Sequence, residues 1–138
     1  MRILGIDYGD ARVGFAISDG LGITAQAIGT QHVSGDDKLC RYIQDIVQKE
    51  QVGRIVVGFP KNMNGSIGER GEKTKDFVDI LRKNVNIDVV LWDERLTTVA
   101  AHKYLNEANV RGKKRKGVVD TISAVFILQG YLDYLAQH

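Results

Sequence analysis

The sequence predicts an α/β fold built on a five-stranded mixed sheet with helices on both faces. Three apolar strands come first and are joined by short glycine-containing turns, and such hairpin links pair strands antiparallel. Helices then alternate with short apolar strands, and helical crossovers of this kind make strands parallel. Because the 138 residues contain one proline and no internal repeat, we expect a single domain over residues 1–138.

The first three strands are predicted over residues 2–8, 12–18 and 23–33. The first is a buried apolar run that ends at Asp7 and Tyr8, and the third alternates apolar and polar residues as a more exposed strand does. The first helix is predicted to begin at a cap formed by Asp36 or Asp37 and to end near Gly53. Its apolar stripe, with helical spacing, consists of Leu39, Ile43, Ile46 and Val47.

The second half of the chain supplies the predicted parallel strands and their crossovers. Residues 54–58 and 85–92 are short continuous apolar runs, which are typical of strands buried in parallel sheets. The remaining helices are predicted around residues 77–81, from Thr97 or Thr98 to about Asn106, and from Val118 to about Leu135. This order of elements is that of the ribonuclease H-like fold.

Composition and cysteine content are those of an ordinary globular protein of the cell interior. Hydrophobic residues make up 43% and charged residues 26% of the chain. No apolar stretch approaches the ~20 residues that span a bilayer, and the sequence opens in a strand without a signal-peptide pattern. Cys40 is the single cysteine, so no internal disulfide can form. We therefore expect a cytoplasmic protein with no membrane partner.

A basic segment at residues 111–117 carries much of the positive charge. It holds five of the nineteen lysines and arginines, and removing those five charges from the net charge of +2 leaves −3 for the rest. Clustered cations bind nucleic-acid phosphates with little sequence preference. Gly112 and Gly117 predict a mobile loop that orders on substrate. The residues expected to contact nucleic acid are Arg111, Lys113, Lys114, Arg115 and Lys116.

Three acidic residues stand at the ends of predicted elements. Asp7 closes the first strand, Glu94 closes the fifth, and Asp120 lies in the first turn of the last helix. Parallel strands end at one edge of a sheet, where these acids can meet. Carboxylates that converge from several elements suit two divalent metals about 3.5–4 Å apart, as in phosphodiester hydrolysis. The trio predicts a catalytic site that holds Mg²⁺ or Mn²⁺.

Each acid also has a purely structural interpretation. An aspartate after a strand is a common turn former, and the helix dipole favours acids in first helical turns. Asp93 directly precedes Glu94, and because side chains alternate along a strand, only one of the two can face the site. The pattern alone does not decide which. The small residues Thr121, Ser123 and Ala124 would let the last helix approach the sheet closely beside Asp120.

Glycines and one loop complete the predicted phosphate-handling edge. Gly9 and Gly14 lack side chains that would keep a phosphate backbone away from Asp7. The loop at residues 58–70 leaves a strand and enters a helix; such loops border the ligand side of open α/β sheets, where a helix N-terminus favours anions. It contains no Walker Gly-Lys-Ser/Thr sequence.

Four motifs resemble those of a known bacterial family. They are Gly-Ile-Asp-Tyr-Gly-x-x-Arg-Val-Gly-x-Ala-x-Ser-Asp at 5–19, Val-Val-Gly-x-Pro-x-x-Met-x-Gly at 56–65, Asp-Glu-Arg-Leu-Thr-Thr at 93–98 and Val-Asp-x-x-Ser-Ala at 119–124. In this order they are similar, from end to end of the chain, to the YqgF family. Its members are small ribonuclease H-like proteins related to the RuvC Holliday-junction resolvases, and they are regarded as nucleases that mature the 5′ end of pre-16S ribosomal RNA.

The resemblance implies roles for individual residues. It implies metal binding by Asp7, Glu94 and Asp120, and so favours Glu94 over Asp93. It also implies that Arg95 and the loop around residues 60–65 line the site. Together with the residues beside the first strand, the expected substrate contacts at this edge are Gly9, Arg12, Pro60, Asn62, Gly65 and Arg95.

The predicted function is metal-dependent cleavage of nucleic acid, with RNA favoured over structured DNA and a ribosome precursor as partner. Two Mg²⁺ or Mn²⁺ ions would activate water and stabilise the leaving 3′ oxygen, while Arg12, Arg95 or the basic segment offsets charge. Two alternatives stay open: a junction-resolving DNA nuclease, which would act as a symmetric dimer, and a non-catalytic RNA-binding factor of ribosome assembly. The sequence does not decide between a monomer and a homodimer.

Overall fold

The computed structural model describes residues 1–9, 11–32, 35–61, 64–93 and 112–137, with side chains of the last range from residue 122 onward. The helix predicted from Thr97 or Thr98 to Asn106 lies outside these residues. The described strands are Arg2–Tyr8 (β1), Arg12–Ser18 (β2), Ala25–His32 (β3), Val52–Phe59 (β4) and Asp88–Asp93 (β5). The described helices are Asp36–Glu50 (α1), Glu69–Asn84 (α2) and Gly112–Gln137 (α3).

The strands form one sheet in the order β3-β2-β1-β4-β5. β1 pairs antiparallel with β2, and β2 with β3, whereas β1–β4 and β4–β5 are parallel. The prediction of a five-stranded mixed sheet is therefore confirmed. β1 lies at the centre, and the carboxyl ends of β1, β4 and β5 share one edge, which we call the carboxyl edge.

Helices cover both faces of the sheet, as predicted. On one face, Leu4 and Ile6 of β1 join a buried cluster with residues of α1 and α2, such as Ile43 and Phe77. On the other face, Ile3 joins a cluster with residues of α3. Since side chains alternate along a strand, the odd-numbered residues of β1 face α3 and the even-numbered ones face α1 and α2.

Gly5 allows α3 to pack directly on β1. A Cβ atom at Gly5 would lie 2.7 Å from Leu128 Cβ and 3.2 Å from the carbonyl oxygen of Ala124. Ser123 and Ala124 are buried, at 2% and 0% exposure. The close approach predicted for the small residues of this helix is thus confirmed at Ala124.

Helices α1 and α3 begin differently from the prediction. Gly35 is the N-cap of α1 and no side chain caps it, so Asp36 and Asp37 lie in the first turn, where the helix dipole favours acids. α3 begins at Gly112 instead of Val118, so the basic segment after Arg111 is helical rather than a mobile loop. Lysine and arginine are good helix formers, which outweighs the cost of Gly117. Among the described helices, none is long and apolar enough to cross a membrane.

Candidate active site

Asp7 is placed at the carboxyl edge by the central strand of the sheet. Asp7 is 7% exposed and lies opposite Gly14 of β2 in the antiparallel pair. As an odd-numbered residue of β1, it lies on the α3 face, like Ile3. A carboxylate is thus held where a buried strand reaches solvent, as the sequence predicted.

Arg70 brings a positive charge to Asp7. Its Nη2 atom lies 4.0 Å from Asp7 Oδ1 and donates a hydrogen bond of 3.5 Å to the carbonyl oxygen of Tyr8. Tyr8 is fixed by stacking on Phe77, with ring centroids 4.3 Å apart, and its hydroxyl donates to Asp36 Oδ1 at 3.3 Å. The sequence reasoning did not assign Arg70 to the site, because no local motif indicates a contact between residues so far apart in the chain.

Gly9 and Arg12 form the turn that follows Asp7. The Gly9 amide donates to the Arg12 carbonyl oxygen at 3.0 Å, and a Cβ atom at Gly9 would lie 2.5 Å from that oxygen. The geometry of the turn alone therefore requires glycine at this position, whether or not a phosphate binds nearby. Arg12 begins β2 at the carboxyl edge and is partly buried.

The loop between β4 and α2 is turned by Gly65, whose φ of 85° favours glycine. Asn64 Oδ1 accepts hydrogen bonds from the Ser66 amide at 3.0 Å and the Ser66 hydroxyl at 2.6 Å. Pro60 directly follows β4 at the carboxyl edge, whereas Asn62 lies outside the described residues. α2 begins at Glu69 and has Glu72 in its first turn, so anions gain less at this helix N-terminus than the sequence analysis expected.

Asp93 ends β5 and faces away from Asp7. β5 is paired with β4 so that Trp92 lies opposite Gly58 and Asp93 opposite Phe59. Trp92 packs with the cluster on the α3 face, so alternation places Asp93 on the other face. Asp93 and Asp7 therefore lie on opposite faces of the sheet. Glu94 and Arg95 lie outside the described residues.

Asp120 is the ninth residue of α3. Its predicted position in the first turn of the helix is wrong, because the helix begins six residues earlier than expected. The basic positions 113–116 lie in the first two turns of α3, and Arg111 lies outside the described residues. Among the side chains that the structure describes, no group of three or more His, Cys, Asp and Glu could hold a metal.

Solved structures of similar shape show which fold the chain has. RuvC of T. thermophilus, solved in complex with a Holliday junction substrate, matches with a TM-score of 0.61, 10% identity and coverage of 99% of this chain and 96% of that one. The Fowlpox virus resolvase, solved with Holliday junction DNA, has a TM-score of 0.55, 13% identity and coverage of 98% and 99%. The chain thus has the ribonuclease H-like fold of these resolvases.

The family follows from sequence comparison. Residues 1–134 match the family described as "RuvX: Holliday junction resolvase". A protein of Acetivibrio thermocellus is 53% identical over 135 residues, covering 96% of both chains, and one of Halothermothrix orenii is 52% identical over 134 residues, covering 97% of this chain and 96% of its own. Both carry the name "Putative pre-16S rRNA nuclease". The chain belongs to the RuvX family of nucleases, the YqgF family that its motifs resemble.

Proposed function

We propose that this chain is a metal-dependent endoribonuclease that processes the 5′ end of pre-16S rRNA in the cytoplasm. The observation that carries the proposal is the buried carboxylate of Asp7 at the carboxyl edge of a ribonuclease H-like sheet. Relatives with 53% and 52% identity are named for this substrate. Phosphodiester hydrolysis is the activity for which a fixed carboxylate at this position is suited.

Asp7, Glu94 and Asp120 are the proposed ligands of Mg²⁺ or Mn²⁺. Asp7 fits such a role, since hard divalent cations prefer carboxylate oxygens and this one is held rigidly by a strand paired on both sides. The structure also places a cation, the Arg70 guanidinium, 4.0 Å from Asp7 Oδ1. The environment of Asp7 thus accommodates a positive charge beside it.

The course of α3 supports a place for Asp120 next to Asp7. Ala124 and Leu128 lie at Gly5, and Tyr131 receives a 2.9 Å hydrogen bond from Arg54, which is in register with Ile3. The helix therefore runs antiparallel to β1. Asp120 is four residues before Ala124, about 6 Å along the helix. Asp7 is two residues after Gly5, about 6.6 Å along the strand in the same direction.

The alternation of side chains along β5 supports Glu94 rather than Asp93 as the third metal ligand. Asp93 lies on the face opposite Asp7, as the packing of Trp92 on the α3 side indicates. The neighbouring acid, Glu94, is then the candidate. This choice agrees with the one that the family resemblance implies.

The protein's own residues would hold and orient the substrate. Bound Mg²⁺ or Mn²⁺ would supply activation of the attacking water and stabilisation of the leaving 3′ oxygen. Asp7 would hold such ions in place, since β1 lies between β2 and β4 and cannot shift alone. Arg12 at the start of β2, together with Arg95 and the basic positions 111–116, would neutralise phosphate charge and keep the backbone in place.

The substrate is tested by cleavage of three labelled nucleic acids in Mg²⁺ or Mn²⁺. They are a structured RNA with a 5′ extension, the same RNA without the extension, and a four-way DNA junction. We expect cleavage of the extended RNA at the base of the extension, dependent on the metal and abolished by a chelator. Cleavage of the junction alone would contradict the proposed substrate.

A junction-resolving DNA nuclease is the second candidate. The family description and the fold of RuvC favour it. Such an enzyme needs a symmetric dimer to make paired cuts, so junction cleavage should rise with protein concentration together with dimer formation. If wild-type protein binds RNA but cuts none of the three substrates, the non-catalytic assembly factor replaces both enzymatic proposals.

A further inference from the structure

We propose that Lys61, Arg70 and Lys75 form a cationic track that binds the phosphate backbone of a single nucleic-acid strand next to Asp7. The track lies on the α2 side of the carboxyl edge and does not include the basic segment of α3. It rests on the proposed function in one respect, namely that the strand bound there is the one presented to Asp7.

Two lysines converge on one aromatic ring at the end of β4. Lys61 Nζ and Lys75 Nζ each lie 5.9 Å from the centroid of the Phe59 ring. Lys61 follows β4 in the loop and Lys75 comes from α2, so two separate elements each bring a positive charge to this ring. Attraction between an ammonium and a ring face holds each lysine near this position.

Neither lysine forms an ion pair with a described acid. The ion pairs of the described residues join Arg2 with Glu50, Arg54 with Asp88, Arg70 with Asp7 and Lys73 with Glu69, and none includes Lys61 or Lys75. The remaining acids of α2, Glu72, Asp76 and Asp79, are exposed, whereas Lys75 is partly buried beside Phe59. Asp93 lies opposite Phe59 in β5, so two lysines and one neighbouring described carboxylate leave an excess of positive charge at this ring, which favours binding of an anion.

Arg70 links the lysine pair to the candidate active site. It lies in the first turn of α2 and reaches both the Tyr8 carbonyl oxygen and Asp7. Its side chain is 51% exposed, so its remaining N–H groups can reach a ligand. The next residue, Gly71, packs beside the Phe59 ring, where a Cβ atom would lie 3.5 Å from Phe59 Cε2, so the positive charges extend from Arg70 beside Asp7 to the two lysines at Phe59.

The chemistry of the track suits phosphates rather than bases. Lysine ammonium groups act as point charges that contact phosphates and carry no sequence information. Phe59 is 6% exposed, so its ring is not available for stacking with a base. The ligand class is therefore the phosphodiester backbone, recognised without regard to sequence.

The test is the salt dependence of binding, measured in a chelator so that no cleavage occurs. A labelled single-stranded oligoribonucleotide is titrated with wild type, with Lys61→Gln/Lys75→Gln, and with the charge-matched control Lys49→Gln/Lys83→Gln. The control lysines lie near the carboxyl-terminal ends of α1 and α2, away from the track. Glutamine retains the aliphatic stem, and circular dichroism checks folding.

Loss of two phosphate contacts reduces the steepness of the negative slope of log K against log salt by about 1.4, since each contact to a single strand contributes about 0.7. We expect this decrease for the track variant, an unchanged slope for the control, and a restored slope for Lys61→Arg/Lys75→Arg. An unchanged slope in the track variant would overturn the proposal, as would an equal decrease in the control. Because binding is measured without cleavage, failure of the nuclease proposal would leave this result interpretable.

Discussion

At the scale of single residues, the candidate site depends on where β1 ends. Ile6 is fully buried and Asp7 is 7% exposed, so the carboxylate stands at the boundary between core and solvent. Arg70 lies 4.0 Å away and reduces the electrostatic cost of keeping this charge largely out of water. A charge so placed is available to a ligand that arrives from solvent.

Substitution of Asp93 and of Glu94 tests which of these two acids acts together with Asp7. We predict that Asp93→Asn retains cleavage of the extended RNA, because Asp93 lies on the face opposite Asp7. Glu94→Gln should reduce cleavage by roughly 100-fold or more, the scale of losing one transition-state electrostatic contact. The two variants serve as matched controls for each other in one cleavage assay. The reverse pattern would assign the ligand role to Asp93.

Cys40 provides a prediction on pH. Burial, followed by the negative charges of Asp36 and Asp37, raises the pKa of the Cys40 thiol above its ordinary value of 9.0. The folded state therefore favours the protonated thiol, and this contribution to stability is present below pH 9.0 and is lost as pH rises further. The thiol should not react with iodoacetamide at pH 8 until urea unfolds the chain. Rapid reaction in the folded protein would contradict its burial.

The residues of the site were predictable to the extent that local sequence marks them. Asp7 follows a buried apolar run, and that pattern alone indicates a strand end. Arg70 was not predictable, because its contact with Asp7 depends on where α2 begins relative to β1. The face on which Asp93 lies was not predictable either, because it follows from the packing of Trp92 on the α3 side.

At the scale of secondary-structure elements, the approach of α3 to β1 positions the site. Gly5 has no side chain that would separate the strand from the helix. On the helix, Ser123 and Ala124 are buried and have small side chains. The helix can then pass over the centre of the sheet towards the carboxyl edge. If α3 lay further from the sheet, residue 120 would also lie further from Asp7.

Gly5→Ala should destabilise the fold measurably. The added Cβ atom would lie 2.7 Å from Leu128 Cβ, so strand or helix must shift, and overpacking of this kind costs roughly 1–3 kcal/mol. Gly20→Ala is the matched control, because a Cβ atom there meets nothing within 4 Å. Urea unfolding measures both. Equal stability of Gly5→Ala and wild type would show that α3 can move away from the sheet at no cost.

Most elements were predictable because hairpins and crossovers leave clear sequence patterns. The pairing of β1–β3 follows from the short turns, and the parallel pairing of β4 and β5 follows from apolar runs between helices. The predicted start of α3 was wrong because the basic residues between Gly112 and Gly117 favour a helix more strongly than the two glycines oppose it. The predicted N-cap of α1 was wrong because an acid at the N-cap and an acid in the first turn give the same sequence pattern.

At the scale of the whole molecule, the two ends of the parallel strands differ in chemistry. The carboxyl edge brings together Asp7, Arg70, the Gly9 turn and the loop after β4. The opposite end carries Arg54, Arg82 and Asp88 around a cavity of about 580 Å³. Ligands of open α/β sheets bind at the carboxyl ends of strands, so we expect nucleic acid to bind at the carboxyl edge.

The most direct measurement compares cleavage of the extended RNA by wild type, Asp7→Asn and Asp88→Asn in Mn²⁺. Asp88 has an 80% exposed side chain at the amino end of β5 and controls for loss of one carboxylate charge. We predict that Asp7→Asn loses cleavage by roughly 100-fold or more, that RNA binding is retained, and that Asp88→Asn matches wild type. Undiminished cleavage by Asp7→Asn would contradict the proposed active site.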